Sequence, residues 1–165
     1  MCNRINTSDT MVVEELEAAG IVTEGDDDIT LTEPFRAEWR RRIDQVRDDP
    51  TRYLALLLEA DPEALSVDDD ADGVRVRDDS GATTRTVGEW PSEAALTADV
   101  AAFIALGESV PAFEELGGTE RDELVARFRA FLEDCPTCDG ELIEAVDAET
   151  GVPAISCTEC GAALF

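Results

Sequence analysis

Four cysteines in the last third of the chain have the type and spacing of a metal-thiolate site. Cys135-Pro136-Thr137-Cys138 and Cys157-Thr158-Glu159-Cys160 are two C-x-x-C pairs with 18 residues between them, inside the window of ~15–20 residues used by four-cysteine zinc sites. Two intervening residues let each pair wrap one edge of a tetrahedral ion at ~2.3 Å per Zn–S bond. The longer separation leaves room for a hairpin that returns the second pair to the first. Each pair also needs a tight turn after its second cysteine, where backbone N–H groups can point at sulfur. Asp139-Gly140 and Gly161 stand there, residues that tolerate positive φ. Cys135, Cys138, Cys157 and Cys160 are therefore the candidate metal ligands. Four thiolates on one divalent ion close its coordination shell at a net charge of about −2 and leave water no open position. The expected role is structural, and a catalytic residue set is not expected.

Between the pairs, Leu142, Ile143, Ala145 and Val146 suit one strand and Val152 to Ile155 another, with residues 147–151 as the turn. This arrangement resembles a zinc ribbon over residues 135–165, which implies one structural Zn2+ ion. Asp139 departs from the resemblance, because a glycine often sits at that position. Iron is the alternative metal: the Cys-Pro-x-Cys and Cys-x-x-Cys-Gly knuckles also resemble those of rubredoxins, which would make the chain an iron redox protein. The close spacing of the pairs and the lack of Tyr or Trp beside them in the sequence favour zinc. A segment this short has a small core of its own, whereas a structural zinc contributes an apparent ~10–16 kcal/mol in small fingers. Cys2, far from the others, is read as incidental.

Composition removes other chemistries. The chain has 165 residues, Asp+Glu 39 against Lys+Arg 13, a formal charge of −26 and no histidine. Without imidazole there is no Ser/His/Asp or Cys/His catalysis and no mixed Cys/His site. The sequence also lacks a Gly-rich phosphate loop, G-x-S-x-G and H-E-x-x-H. It is not expected to be an enzyme. Every basic residue is Arg, and there is no Lys. Guanidinium is weakly hydrated and pairs in planar forks, while carboxylates hold water and salt. The composition resembles proteins of salt-accumulating halophilic archaea, where a Debye length of ~3 Å at molar salt quiets the repulsion among carboxylates. No secretory signal or membrane-spanning run is evident, so a cytoplasmic protein with no membrane partner is expected.

The elements that must position the cysteines follow from apolar spacing. Residues 1–9 carry no period and are expected to be a tail. Residues 10–134 read as an α+β domain, mainly helical with small β-hairpins, ahead of the C-terminal zinc ribbon. A first helix from Thr10 stops at Gly20, and Ile21-Val22 with Ile29 to Leu31 form a hairpin about a charged turn. Thr32 caps a helix with the stripe Phe35, Trp39, Ile43 and Val46, and Asp49-Pro50 and Asp61-Pro62 open two more. Residues 68–72 read as a solvated acidic loop. Val74 and Val76 with Thr84 to Val87 predict a two-stranded hairpin. Ser92 caps a helix that Gly107 ends, a short helix follows Pro111, and Thr119 with Asp122 suggests a capping box for a last helix reaching Leu132.

Six of the 13 Arg lie between Arg36 and Arg52. Arg36, Arg40 and Arg47 share a flank of their helix and are the candidate nucleic-acid contacts. Intrahelical pairing of Arg40 and Arg47 with Asp44 accounts for the same pattern and is favoured. Residues 10–35 weakly resemble the helix-plus-wing part of a winged helix, which implies a DNA- or RNA-associated regulator as the alternative function. The ribbon itself carries six acids and no Arg. Since phosphate neutralisation supplies most non-specific affinity, a protein partner is favoured over nucleic acid. The leading expectation is thus a zinc-binding interaction or regulatory module.

Overall fold

The computed structural model describes residues 14–25, 29–70, 73–146, 148–151 and 153–164. The expected tail, Cys2, the start of the first helix, the acidic turn at Asp26 to Asp28, Ala71, Asp72, Asp147 and Val152 fall outside them. The chain is mixed helix and strand with small hairpin sheets, as its periodicity predicts.

The described part of the first helix (α1, residues 14–18) ends as its glycine demands. Gly20 takes φ 76°, the Ile21 N–H reaches back to Leu16 O at 2.9 Å and the Gly20 N–H to Glu17 O at 3.0 Å, a Schellman closure. β1 (Val22–Glu24) then pairs antiparallel with β2 (Ile29–Leu31). The next helix, α2 (Glu33–Val46), buries Phe35, Trp39, Ile43 and Val46, the predicted stripe. Thr32 sits at its start, but makes no side-chain cap; its hydroxyl donates instead to Gly20 O at 2.6 Å, fastening α2 to the end of α1. α3 (Pro50–Leu57) is capped by Asp49, whose carboxylate accepts from the Arg52 N–H at 3.2 Å.

The expected hairpin is a three-stranded antiparallel sheet, β3 (Leu65–Asp70), β4 (Gly73–Asp78) and β5 (Arg85–Trp90) in that order. Residues 68–70 are strand rather than acidic loop. Arg residues on β4 explain why: Asp68 faces Arg75 in register and pairs with Arg77, while Arg75 also reaches Glu89 on β5 at 2.6 Å. Opposite charges across the ladder let an acidic run pair as strand.

α4 (Glu93–Ser109) is the central element, with eleven buried residues spread around its circumference. It does not stop at Gly107. That glycine keeps a negative φ, and the helix ends where Val110 must be extended ahead of Pro111. A short 3-10 turn (Pro111–Glu115) leads to α5 (Gly118–Phe128). The N-cap of α5 is Gly117, so Thr119 lies inside the helix and is not its cap. The last helix also stops being α-helical before Leu132, tightening to a 3-10 turn over Arg129–Phe131. α2 crosses α4 with the Trp39 indole N–H donating to Ala98 O at 3.1 Å. Phe128 packs edge-on against Phe35 and Trp39 at centroid distances of 5.7 and 6.1 Å.

Candidate metal centre

β6 (Leu142–Val146) and β7 (Pro153–Cys157) form the hairpin expected between the cysteine pairs. At its open end the two cysteine loops are copies of each other. In the first, the Cys135 N–H donates to Gly140 O at 2.9 Å and the Asp139 N–H to Cys135 O at 3.0 Å; in the second, the Cys157 N–H donates to Ala162 O at 2.9 Å and the Gly161 N–H to Cys157 O at 3.1 Å. Each loop turns through a left-handed residue, Asp139 at φ 62° and Gly161 at φ 74°. The departure at Asp139 is thus accommodated, because Asp is one of the few non-glycine residues that visit this region.

The four sulfurs converge. Cys135 Sγ lies 3.6 Å from Cys160 Sγ and Cys138 Sγ 3.4 Å from Cys157 Sγ, and all four lie within 4.8 Å of one another. A tetrahedron with ~2.3 Å metal–sulfur bonds has edges of roughly 3.8 Å, whereas a disulfide needs ~2.05 Å. The donor set fits a single tetrahedral ion. Backbone donors face the sulfurs as such a centre requires: Glu159 and Cys160 N–H groups lie 3.4 and 3.5 Å from Cys157 Sγ. These donors, Cys160 foremost, lower the Cys157 thiol to about 6. Cys138 shifts the other way. The Gly140 N–H favours its thiolate, but sharing a proton with Cys157 and burial outweigh that and raise it to about 12.

Gly140 is required by closeness rather than by conformation. A Cβ there would sit 2.5 Å from Glu159 Oε2, 2.9 Å from Cys157 Sγ and 3.1 Å from Cys138 Sγ. We expect Gly140→Ala to weaken metal binding ten- to hundredfold, equivalent to about 1–3 kcal/mol of overpacking. Chelator competition measures it, and unchanged affinity would show that the loop has room for the methyl group.

The ribbon is bolted to the helical domain, a fact that the cysteine spacing alone does not reveal. Cys135, Cys157 and Leu164 share a buried apolar cluster with Ala94 and Ala95 at the start of α4, and Trp90 packs against it. An indole distant in sequence is therefore near the site after all. Ser92 caps α4, as predicted, by accepting from the Ala95 N–H at 3.2 Å; the same hydroxyl donates to Ala163 O. Arg129 is buried and donates three ways: Nε and Nη2 to the Asp99 carboxylate, each at 2.7 Å, and Nη1 to Leu164 O at 2.8 Å. Asp99 also accepts from the Trp90 indole at 3.0 Å. Burial raises Asp99 above its ordinary value, against the lowering by Arg129 and Trp90. Sequence reasoning missed this pair, since among so many acids nothing marks the one that is buried.

The three candidate nucleic-acid residues are all engaged. Arg36 pairs with Glu133 at 2.6 Å. Arg40 and Arg47 reach Asp44 at 3.7 and 3.3 Å, the pairing expected from spacing. Both also contact Asp139 in the first cysteine loop, Arg47 at 3.2 Å. A concavity of about 510 Å³ lies elsewhere, lined by Leu54, Trp90, Phe103 and Arg121 among others.

Among the described residues no helix is long and apolar enough to cross a membrane. Residues 11–130 match the central domain of a family of unknown function (DUF8054). The chain matches no curated protein and no solved structure.

Proposed function

We propose that this chain, which belongs to the DUF8054 family through residues 11–130, is a zinc-loaded, non-enzymatic interaction or regulatory module of a halophilic archaeal cytoplasm. The observation that carries the metal reading is the convergence of four sulfurs within 4.8 Å, closed by two matching loops. Cys135, Cys138, Cys157 and Cys160 would hold the ion, whose contribution is to tie the loops together. With four thiolates its shell is full, which favours a structural role over hydrolysis. Zinc is favoured over iron by the separation of the pairs. A protein partner is favoured over nucleic acid because the ribbon lacks Arg, because Arg36, Arg40 and Arg47 are in ion pairs, and because phosphate contacts weaken steeply in salt.

Elemental analysis of reduced protein prepared in molar KCl tests this reading. The expected result is one zinc per chain and a colourless solution. The visible absorption of an iron thiolate would replace zinc with the redox alternative, and metal far below one per chain would end the reading. Duplex DNA at the same salt is expected not to bind; binding lost on Arg36→Gln, Arg40→Gln and Arg47→Gln would favour the regulator instead.

A further inference from the structure

We propose that Arg40 and Arg47 of α2 are positioning residues for the metal centre, acting through Asp139, so that metal uptake by the ribbon and seating of the first cysteine loop on α2 form one equilibrium. The inference rests on the metal reading above.

Three observations carry it. Asp139 follows ligand Cys138 directly and holds the left-handed turn of its loop at φ 62°, a conformation that few residues besides glycine adopt and that surroundings which restrain it help to hold. The side chain of that same residue is gripped by two guanidinium groups from a helix more than 90 residues earlier in the chain: Arg40 contacts Oδ1, and Arg47 Nη1 reaches Oδ1 at 3.2 Å and Oδ2 at 3.3 Å, across a separation of 92 residues. Both Arg side chains are about two-thirds buried, at 32% and 31% exposure. Asp139 itself is half-exposed. Asp44 sits between them and completes a chain of alternating charge.

Charge arithmetic gives the contacts a purpose. A divalent ion with four thiolates carries about −2, and Asp139 adds another negative group beside it. Two cations on α2 offset that accumulation in a chain where bases are outnumbered. Without them the loop keeps its ligands but loses both the restraint on Asp139 and the two positive charges that contact its turn. Partners beyond the ligands typically govern 10–100-fold in metal affinity. Linkage makes the effect mutual: whatever the Arg pair adds to metal affinity, bound metal adds to the seating of the loop on α2.

Co2+ uptake by the full chain in molar KCl, in competition with a chelator and read by thiolate-to-cobalt absorption, tests the proposal. R40Q/R47Q is expected to weaken Co2+ binding about tenfold with the shape of the spectrum unchanged, because all four sulfurs remain. D139N keeps a residue tolerant of the left-handed turn and replaces no residue of a helix or of the core, so it probes the contact where R40Q/R47Q fails to fold. It is expected to weaken binding similarly in the parent and to add nothing in the R40Q/R47Q background. R41Q, which removes a pair with Glu38 on the outer face of α2, is expected to match the parent. Parent affinity in R40Q/R47Q, or an undiminished D139N effect in that background, overturns the proposal while leaving the metal reading intact. A parent chain that gives no tetrathiolate spectrum overturns both.

Discussion

Cys157→Ser is expected to abolish stoichiometric metal binding and to release residues 135–164 from protection, with the amides of β6 and β7 exchanging at the rate of unstructured chain. The hairpin has little to fall back on. Val146 and Ile143 on β6 are 66% and 47% exposed, and the buried apolar groups of the ribbon are essentially Cys135, Pro136, Cys157 and Leu164. An ion contributing an apparent ~10–16 kcal/mol outweighs what so small a core supplies. The loss spreads, because Ala163 and Leu164 accept from Ser92 and Arg129 in the helical domain. Cys135 and Cys157 are buried while Cys138 and Cys160 are exposed, so serine at the first of each pair also places a hydroxyl in an apolar cluster. Hydrogen exchange of each variant with and without Zn2+ checks the ranking. Full protection of β6 and β7 in metal-free Cys157→Ser would show that the ribbon folds on packing alone.

Arg129→Met is expected to destabilise the fold by about 3–5 kcal/mol, the usual result of removing one partner of a buried ion pair. The cost exceeds that of a surface pair because Asp99 stays behind, 7% exposed, with the Trp90 indole as its remaining donor among the described residues. The pH dependence identifies the mechanism. Burial already raises Asp99, and losing Arg129 raises it further. A carboxyl with a folded pKa above its unfolded value binds more protons folded than unfolded, so it favours folding at low pH, and that advantage disappears as pH rises through the folded pKa. The Arg129→Met deficit is therefore expected to shrink on acidification from neutral pH toward the unfolded carboxyl range of ~4. D99N/R129M, which removes the charge as well, is expected to recover part of the loss at neutral pH. Urea unfolding in molar KCl measures all three. A deficit of constant size across that range would assign the cost to lost packing instead.

Much of the metal centre could be read before the fold was known, because its information is local. C-x-x-C spacing, a turn-tolerant residue after each pair and two apolar runs between them define ligands and hairpin without any tertiary contact. The stripe of α2 and the Gly20 stop were legible for the same reason. What stayed hidden depends on partners far away in the chain. Residues 68–70 look like a solvated loop until Arg75 and Arg77 are placed beside Asp68. Gly107 looks like a stop until Pro111 is recognised as the stronger one. Asp99 and Asp139 are two acids among 39, and only their burial or their Arg contacts set them apart. On the Arg-rich flank of α2 the pairs with Asp44 follow from helical spacing, but Asp139, 92 residues beyond Arg47, has no signature in it.

The all-round enclosure of α4 has a consequence for how the family can vary. Ala94, Ala95, Ala98, Ala101, Ala102 and Ala105 are at most 1% exposed, so neighbouring elements approach the helix almost to its backbone. An extra methylene at any of these positions has nowhere to go but into an adjoining layer. Drift in such a helix must be matched by a compensating loss of volume opposite it. Paired exchanges, rather than independent ones, are what this packing admits along α4.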